Sequence, residues 1–328
     1  MELVSRKEKF SYGLGSLGMN LIFNTMSTYL MIFYTDVFGI NASVIRLLFL
    51  IAKIWDAVND PIMGSIADRT MTRYGKYRPY ILFAPFAVAV FVVLCFSAPL
   101  LAPVWKIVYI YFTYILFGMS YTTYDIPFWS LAPTLTHDVN ESTKIVAIPR
   151  IMGVIGTLAA GVAIIPMVKA IGKGNDAIGY QVTLIILVAI TVALNIVTFI
   201  NVKERIKDET KKHEPLKVSL QVIFKNKPLL LVLAAGLLGL IPLFIKFSLA
   251  TYYFKYNAGD EGLTTIFMLS TSVLMIVGML VTSALSKKTG KRNSFIAAGL
   301  ISAIGSILMF SAGSSNLVLF TRRLRTVG

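Results

Sequence analysis

Apolar stretches of about 20 residues recur along this chain, each long enough as a helix to cross a hydrocarbon layer roughly 30 Å thick. No water reaches backbone amides in such a layer, so each stretch must close its own hydrogen bonds, as a helix does. The spans read at about 10–34, 42–67, 79–101, 105–132, 147–170, 178–201, 228–254, 262–286 and 294–313. The expected fold is all-α, a polytopic membrane protein. At 56% hydrophobic and 14% charged over 328 residues, the composition excludes an ordinary soluble domain.

Charge sets the expected orientation. The net charge of +15 would suit a nucleic-acid partner, but the basic residues sit in short loops between spans, so no nucleic acid is expected. With the N-terminus in the cytoplasm, Arg6, Lys7, Lys9, Arg69, Arg73, Lys76, Arg78, Lys144 and Arg150 fall inside, as do the linker Lys203 to Lys227 and Lys287, Lys288, Lys291 and Arg292. Outer loops hold chiefly Lys106, Lys169, Lys173 and Lys255. The expected location is the inner (plasma) membrane. Cys95, the single cysteine, excludes an intramolecular disulfide, and His137 and His213 lie too far apart for a His/Cys metal cluster.

The longest polar segment follows the sixth span, dividing the chain into a six-helix bundle (1–201), a cytoplasmic linker (202–227) and a partial second bundle (228–328). A faint repeat supports two halves: Tyr74-Gly75-Lys76-Tyr77-Arg78 follows the second span, and Thr289-Gly290-Lys291-Arg292 follows the eighth. Two full halves need roughly 430 residues, so about 100 are expected to be missing. The tail agrees: Asn316 to Phe320 opens like a tenth span and then runs into Arg322, Arg323 and Arg325, on the outer side by the orientation above.

Within the second span, Asp56, Asn59 and Asp60 stand at i, i+3 and i+4, on one helix face. A charge at the bilayer centre costs roughly 2.5–3.5 kcal/mol on insertion scales, so such acids usually line a pathway. Their oxygen and amide ligands suit a hard cation or a proton, which points to ion-coupled transport. A structural ion pair with Lys53, three residues before Asp56, is the plainer alternative. It leaves one carboxylate over.

Several blocks in order carry a family resemblance: Phe10-Ser11-Tyr12-Gly13-Leu14-Gly15, Tyr34-Thr35-Asp36, Trp55 to Met63, Arg73 to Pro79 and Asp125-Ile126-Pro127-Phe128-Trp129-Ser130-Leu131. Together they resemble the glycoside–pentoside–hexuronide:cation symporter family, to about Phe320. The resemblance implies a major-facilitator-type bundle with a complete first half and an incomplete second. It implies a monovalent cation site (Na⁺, Li⁺ or H⁺) at Asp56 and Asp60, with Asn59 and Thr122 as further ligands. It implies a sugar site from Asn20, Asp125, Trp129 and Arg150. Tyr121 extends the Asp125–Trp129 stripe, a carboxylate and an indole at i, i+4 that can bond hydroxyls and cover a sugar face. Gly64, Asp68, Arg69 and Arg73 match the superfamily's loop between spans two and three and imply a gate. Met19-Asn20 departs from melibiose-type members, which carry a Lys-Asp pair there. Asn20 resembles the glucuronide type instead, so the sugar stays open.

The implied activity is cation-coupled symport of a glycoside or related small sugar by alternating access. The chain would act as a monomer in the bilayer, with no cofactor beyond the coupling ion, and not as an enzyme. Rival readings are a non-transporting truncated fragment, and a major facilitator exporter or lipid transporter with another substrate. Plainer roles exist for single residues as well. Asp125 and Arg150 could form an interhelical bridge, Trp129 could be a packing aromatic, and the loop charges could be solvated. Lys246 fits no pattern. Gly13, Gly15 and Gly18 suit close helix packing.

Overall fold

The computed structural model describes residues 4–206, 222, 224–253 and 262–311. The chain divides into two compact units, Met1–Leu216 and Lys217–Gly328. In the first, the helices are α1 (Arg6–Ile32), α2 (Ala42–Arg69), α3 (Arg78–Cys95), α4 (Pro103–Leu131), α5 (Val139–Gly172) and α6 (Asp176–Asn201). A π-turn, Phe33–Val37, extends α1, and a 3₁₀ turn, Ala132–Thr134, extends α4. Among the described residues the one strand-like pairing is an isolated bridge, Thr72 to Gly75.

Local chemistry sets the helix ends. Ser5 and Glu8 form a capping box: the Glu8 amide donates to Ser5 Oγ at 3.2 Å, and Glu8 Oε2 accepts from the Ser5 amide at 3.0 Å. Asn41 and Asn175 cap α2 and α6. The third helix stops at Cys95, short of the expected 101. Phe96 leaves the helical region (φ −98°, ψ 25°), and Pro99 and Pro103 follow in a stretch with no helix between. The fifth begins at Val139, earlier than the expected 147, with the Glu141 amide donating to Asp138 Oδ1 at 2.8 Å.

Helix α1 lies against both α5 and α6, α3 against α4 and α6, and α2 packs chiefly on α4. Small residues allow the closest approaches. A Cβ on Gly156 of α5 would lie 2.4 Å from the carbonyl oxygen of Leu17 in α1, so a larger residue there forces the pair apart. Hydroxyls stitch the same core. Tyr124 donates to Asn195 Oδ1 at 2.6 Å, and Thr198 to the Ser11 carbonyl at 2.7 Å. With no water nearby, each would otherwise be an unpaired polar group.

Among the described residues, three helices have both the length and the hydropathy to cross a membrane: Arg78–Cys95, Glu141–Gly172 and Asp176–Asn201. Within the first unit, the chemistry of the other three helices accounts for the difference from the six spans expected there. At 27, 28 and 29 residues, α1, α2 and α4 are long enough. They interleave Ser, Thr, Asn and Tyr, and in α2 charged residues, with their apolar ones.

In the second unit, α7 (Lys227–Tyr253) packs on α8 (Gly262–Ser311). Helix α8 is broken at Gly290 (φ 79°, ψ 158°), where the sequence separates two spans. Gly75, its counterpart in the repeated loop, also has positive φ, at 115°. L-residues with a Cβ rarely adopt that conformation. The repeat thus extends to backbone geometry. The Lys246 side chain, most of the linker after Ile206 and the tail with Arg322, Arg323 and Arg325 lie outside the described residues.

Candidate functional site

A cavity of about 280 Å³ opens between α1, α2 and α4. Asp56 and Asp60 reach it from α2, Tyr121, Thr122 and Asp125 from α4, and Phe23 from α1. The three helices around it are the less apolar ones. Their polar stripes meet here.

Two carboxylates and a hydroxyl form its ion-competent part. Thr122, buried in α4, donates to Asp60 Oδ1 at 3.0 Å. Asp56 Oδ2 meets Lys53 Nζ at 3.1 Å, with the lysine side chain 70% exposed and the aspartate 27%. Its other oxygen lies against Gly118, where a Cβ would stand 3.3 Å away. Glycine at 118 therefore lets the carboxylate lie close to α4. These are hard oxygen donors, suited to an alkali cation or a proton. Among the described residues no three His, Cys, Asp or Glu side chains cluster, so hydroxyls, amides or water would complete an ion's shell.

The sugar-competent part adjoins it on α4. Trp129 Nε1 donates to Asp125 Oδ1 at 3.1 Å, and the Arg150 guanidinium sits over the indole, 4.9 Å from its centre. Sequence offered a direct Asp125–Arg150 bridge as a rival. Among the described residues no such bridge within 4.0 Å forms, and the indole links the two instead. Acid, indole and guanidinium together supply an acceptor, an apolar face and a donor fork, the groups that hold a polyol ring. Phe23 stacks near Tyr121 at 5.2 Å and adds an aromatic wall.

Two residues fall elsewhere. Asn59, buried on α2 near Met63, is not among the cavity's lining residues, and its Nδ2 has no hydrogen-bond partner. The i, i+3, i+4 reading grouped it with the two aspartates; it stands about 60° around the helix from Asp56, on the side away from Asp60. Asn20 lies between α1 and α5. Its Nδ2 donates to the Ser16 carbonyl at 2.9 Å and packs where a Cβ on Gly153 would stand 2.7 Å away. Asn24, one turn on, donates to Thr157 Oγ1 at 2.8 Å.

A family model described as MFS/sugar transport protein matches residues 11–324. The chain belongs to that family. It is 34% identical over 95% of its length to the isoprimeverose transporter of Lactiplantibacillus pentosus, covering 66% of that protein. It is 28% identical to an inner membrane symporter of Escherichia coli K12, over 94% of this chain and 67% of the relative. A glucuronide carrier protein homolog of the same organism is 28% identical over 91% of this chain and 66% of its own length. The chain thus spans about two thirds of these relatives, which are transporters by name. With membership in this family, the fold is a helical membrane bundle of the major facilitator type.

The family's loop residues lie at the basic end of the first bundle. Asp68 accepts from the Tyr77 hydroxyl at 2.7 Å and pairs with Lys76 at 3.0 Å. Arg73 donates to the Tyr74 hydroxyl at 2.7 Å, Arg69 is exposed, and Gly64 faces open space. Sequence reasoning missed Phe23, Gly118, Asn24 and Thr157, whose types carry no signal without a known neighbour. It also missed Glu204, an acid at the start of a charged linker, where solvation is the default expectation.

Proposed function

We propose that this chain carries the ion and sugar sites of a cation-coupled glycoside symporter, seated in the inner membrane with its N-terminus cytoplasmic. One observation carries the reading: Asp56, Asp60 with its Thr122 bond, and the Trp129-bound Asp125 border a single cavity. The relatives named for isoprimeverose and glucuronide transport favour a small glycoside as substrate.

The coupling ion, Na⁺, Li⁺ or H⁺, would bind between Asp56 and Asp60 with Thr122, neutralising charge that otherwise repels within the cavity. The sugar would bind on α4, its hydroxyls donating to Asp125 and its ring lying near Trp129 and Arg150. The two sites share one helix, since Thr122 and Asp125 are three residues apart on α4. An ion that draws Asp60 and Thr122 together therefore sets the wall that the sugar meets. By linkage, the sugar must raise cation affinity by the factor that the cation raises sugar affinity. Movement of one half against the other would then expose the site alternately to each side.

Uptake of radiolabelled α- and β-galactosides, glucuronides and xylosides into cells expressing the chain tests this, with Na⁺, Li⁺ or an imposed proton gradient supplied in turn. Accumulation of at least one glycoside that depends on one cation supports the proposal. Transport indifferent to all three, or no binding of any glycoside, refutes it.

A further inference from the structure

The first residues after α6 stay on the bundle. Val202 is buried, the amides of Arg205 and Ile206 both donate to the Thr134 carbonyl at 3.0 Å, and the Arg205 guanidinium meets Glu8 at 2.8 Å. Between these anchors, Glu204 turns its carboxylate toward the loop that joins α2 to α3. Its Oε2 accepts from the Lys76 amide at 2.8 Å, and its Oε1 from the amides of Tyr77 at 2.7 Å and Arg78 at 3.0 Å.

Three consecutive amides at a helix start are donors without intrahelical partners, and an anion there is stabilised by charge-assisted bonds and the helix dipole. A cap normally comes from the residue just before the helix. Tyr77, in that place, offers no side-chain cap. Gly75 makes the remote cap possible, because a Cβ there would lie 2.7 Å from the Glu204 carboxylate, and its φ of 115° suits glycine. Arg78 adds a second tie, donating to the Phe199 carbonyl at 2.7 Å.

We propose that Glu204 is a positioning residue for the ion-binding acids: by capping α3 from the start of the linker, it fixes the C-terminal end of α2, the helix that bears Asp56 and Asp60. This rests on the transport reading above. The bonds run without interruption from Glu204 to the amides of Lys76 and Tyr77. The side chains of those two residues hold Asp68, and Asp68 stands in the last turns of α2. Helix α2 packs chiefly on α4, and at this end the Thr70 and Tyr80 hydroxyls also meet, a second tie to α3. Pro61 cannot donate to the Ala57 carbonyl, so α2 can bend just past Asp60, and the hold on Asp68 sets that bend. The Thr122–Asp60 contact of 3.0 Å tolerates little displacement before it ceases to be a hydrogen bond.

The test combines two measurements on the purified full chain in lipid nanodiscs. Hydrogen exchange reads the amides of residues 76–78, and titration reads cation affinity, together with sugar affinity in the absence of cation. Glu204→Gln sets an amide donor against backbone donors. Gly75→Ala crowds out the carboxylate while leaving Glu204 in place. Both should lose amide protection and weaken cation affinity at least threefold, with cation-free sugar affinity unchanged, a split that general unfolding would not give. Glu204→Asp, too short to reach, should follow them. Lost protection with wild-type cation affinity, or intact protection in both variants, overturns the proposal alone. Absence of any cation effect in the unsubstituted chain overturns it together with the transport reading.

Discussion

Replacing Lys53 by Met should tighten cation binding, because the lysine ammonium already occupies one oxygen of the ion site. Lys53 Nζ lies 3.1 Å from Asp56 Oδ2, in the place that an incoming cation would compete for. The pair is far from dry, with the lysine side chain 70% exposed, so its net strength falls in the exposed range of about 0.2–1 kcal/mol. Removing a competitor of that strength raises cation affinity roughly 1.5- to 5-fold. Lys53→Arg keeps the charge and should change little. Sodium titration of the purified chain at constant ionic strength, with choline as the replacement, measures the effect. Because the lysine acts through Asp56, Lys53→Met should have no effect in an Asp56→Asn background. Weaker sodium binding in Lys53→Met, or an equal gain in both backgrounds, refutes the idea that the ammonium competes at this carboxylate.

Other expectations concern single contacts. Trp129→Phe keeps an aromatic face for Arg150 but deletes the indole donor to Asp125, a partly buried acid on the cavity wall that water can partly satisfy. Sugar affinity should fall about fivefold, roughly 1 kcal/mol, with cation affinity in the absence of sugar unchanged, both by calorimetry. Asn20→Asp replaces a donor by an oxygen facing the Ser16 carbonyl, and should cost about 1–3 kcal/mol of stability, read as a lower Tm. Burial alone would raise the Glu8 carboxyl, but the Arg205 and Ser5 hydrogen bonds hold it below the ordinary carboxylate range. Its contribution is thus complete above the unfolded pKa and is lost as pH falls through the lower folded one. Thermal melts should show wild type and Glu8→Gln separated by a constant gap above about pH 5 that closes on further acidification.

Much of the fold was legible because helix length and loop charge are local properties. The recurrent apolar runs and the Gly75/Gly290 repeat could be read in this way, whereas the stop of α3 at Cys95 and the Ser5–Glu8 capping box were missed. The site was legible in part for the same reason. Lys53–Asp56 and Asp125–Trp129 are pairs one turn apart, and helical spacing finds them. Contacts between helices were not. Whether Asn20 faces the cavity or α5 depends on which side of α1 each neighbour covers, and periodicity does not choose between two polar faces. The same holds for Asn59, which spacing groups with the aspartates but which is buried outside the cavity lining. Glu204 was least legible of all, since its partners are backbone amides about 130 residues earlier, and no side-chain pattern records a bare N–H.

The account stands on ion and sugar meeting in one cavity, and a paired titration tests that most directly. Glycoside affinity would be measured with and without saturating Na⁺ or Li⁺, and cation affinity with and without saturating glycoside, in wild type and Asp60→Asn. The account predicts equal factors in the two directions for wild type and a factor of one in Asp60→Asn. A factor of one in wild type, or coupling undiminished without the Asp60 carboxylate, would contradict it.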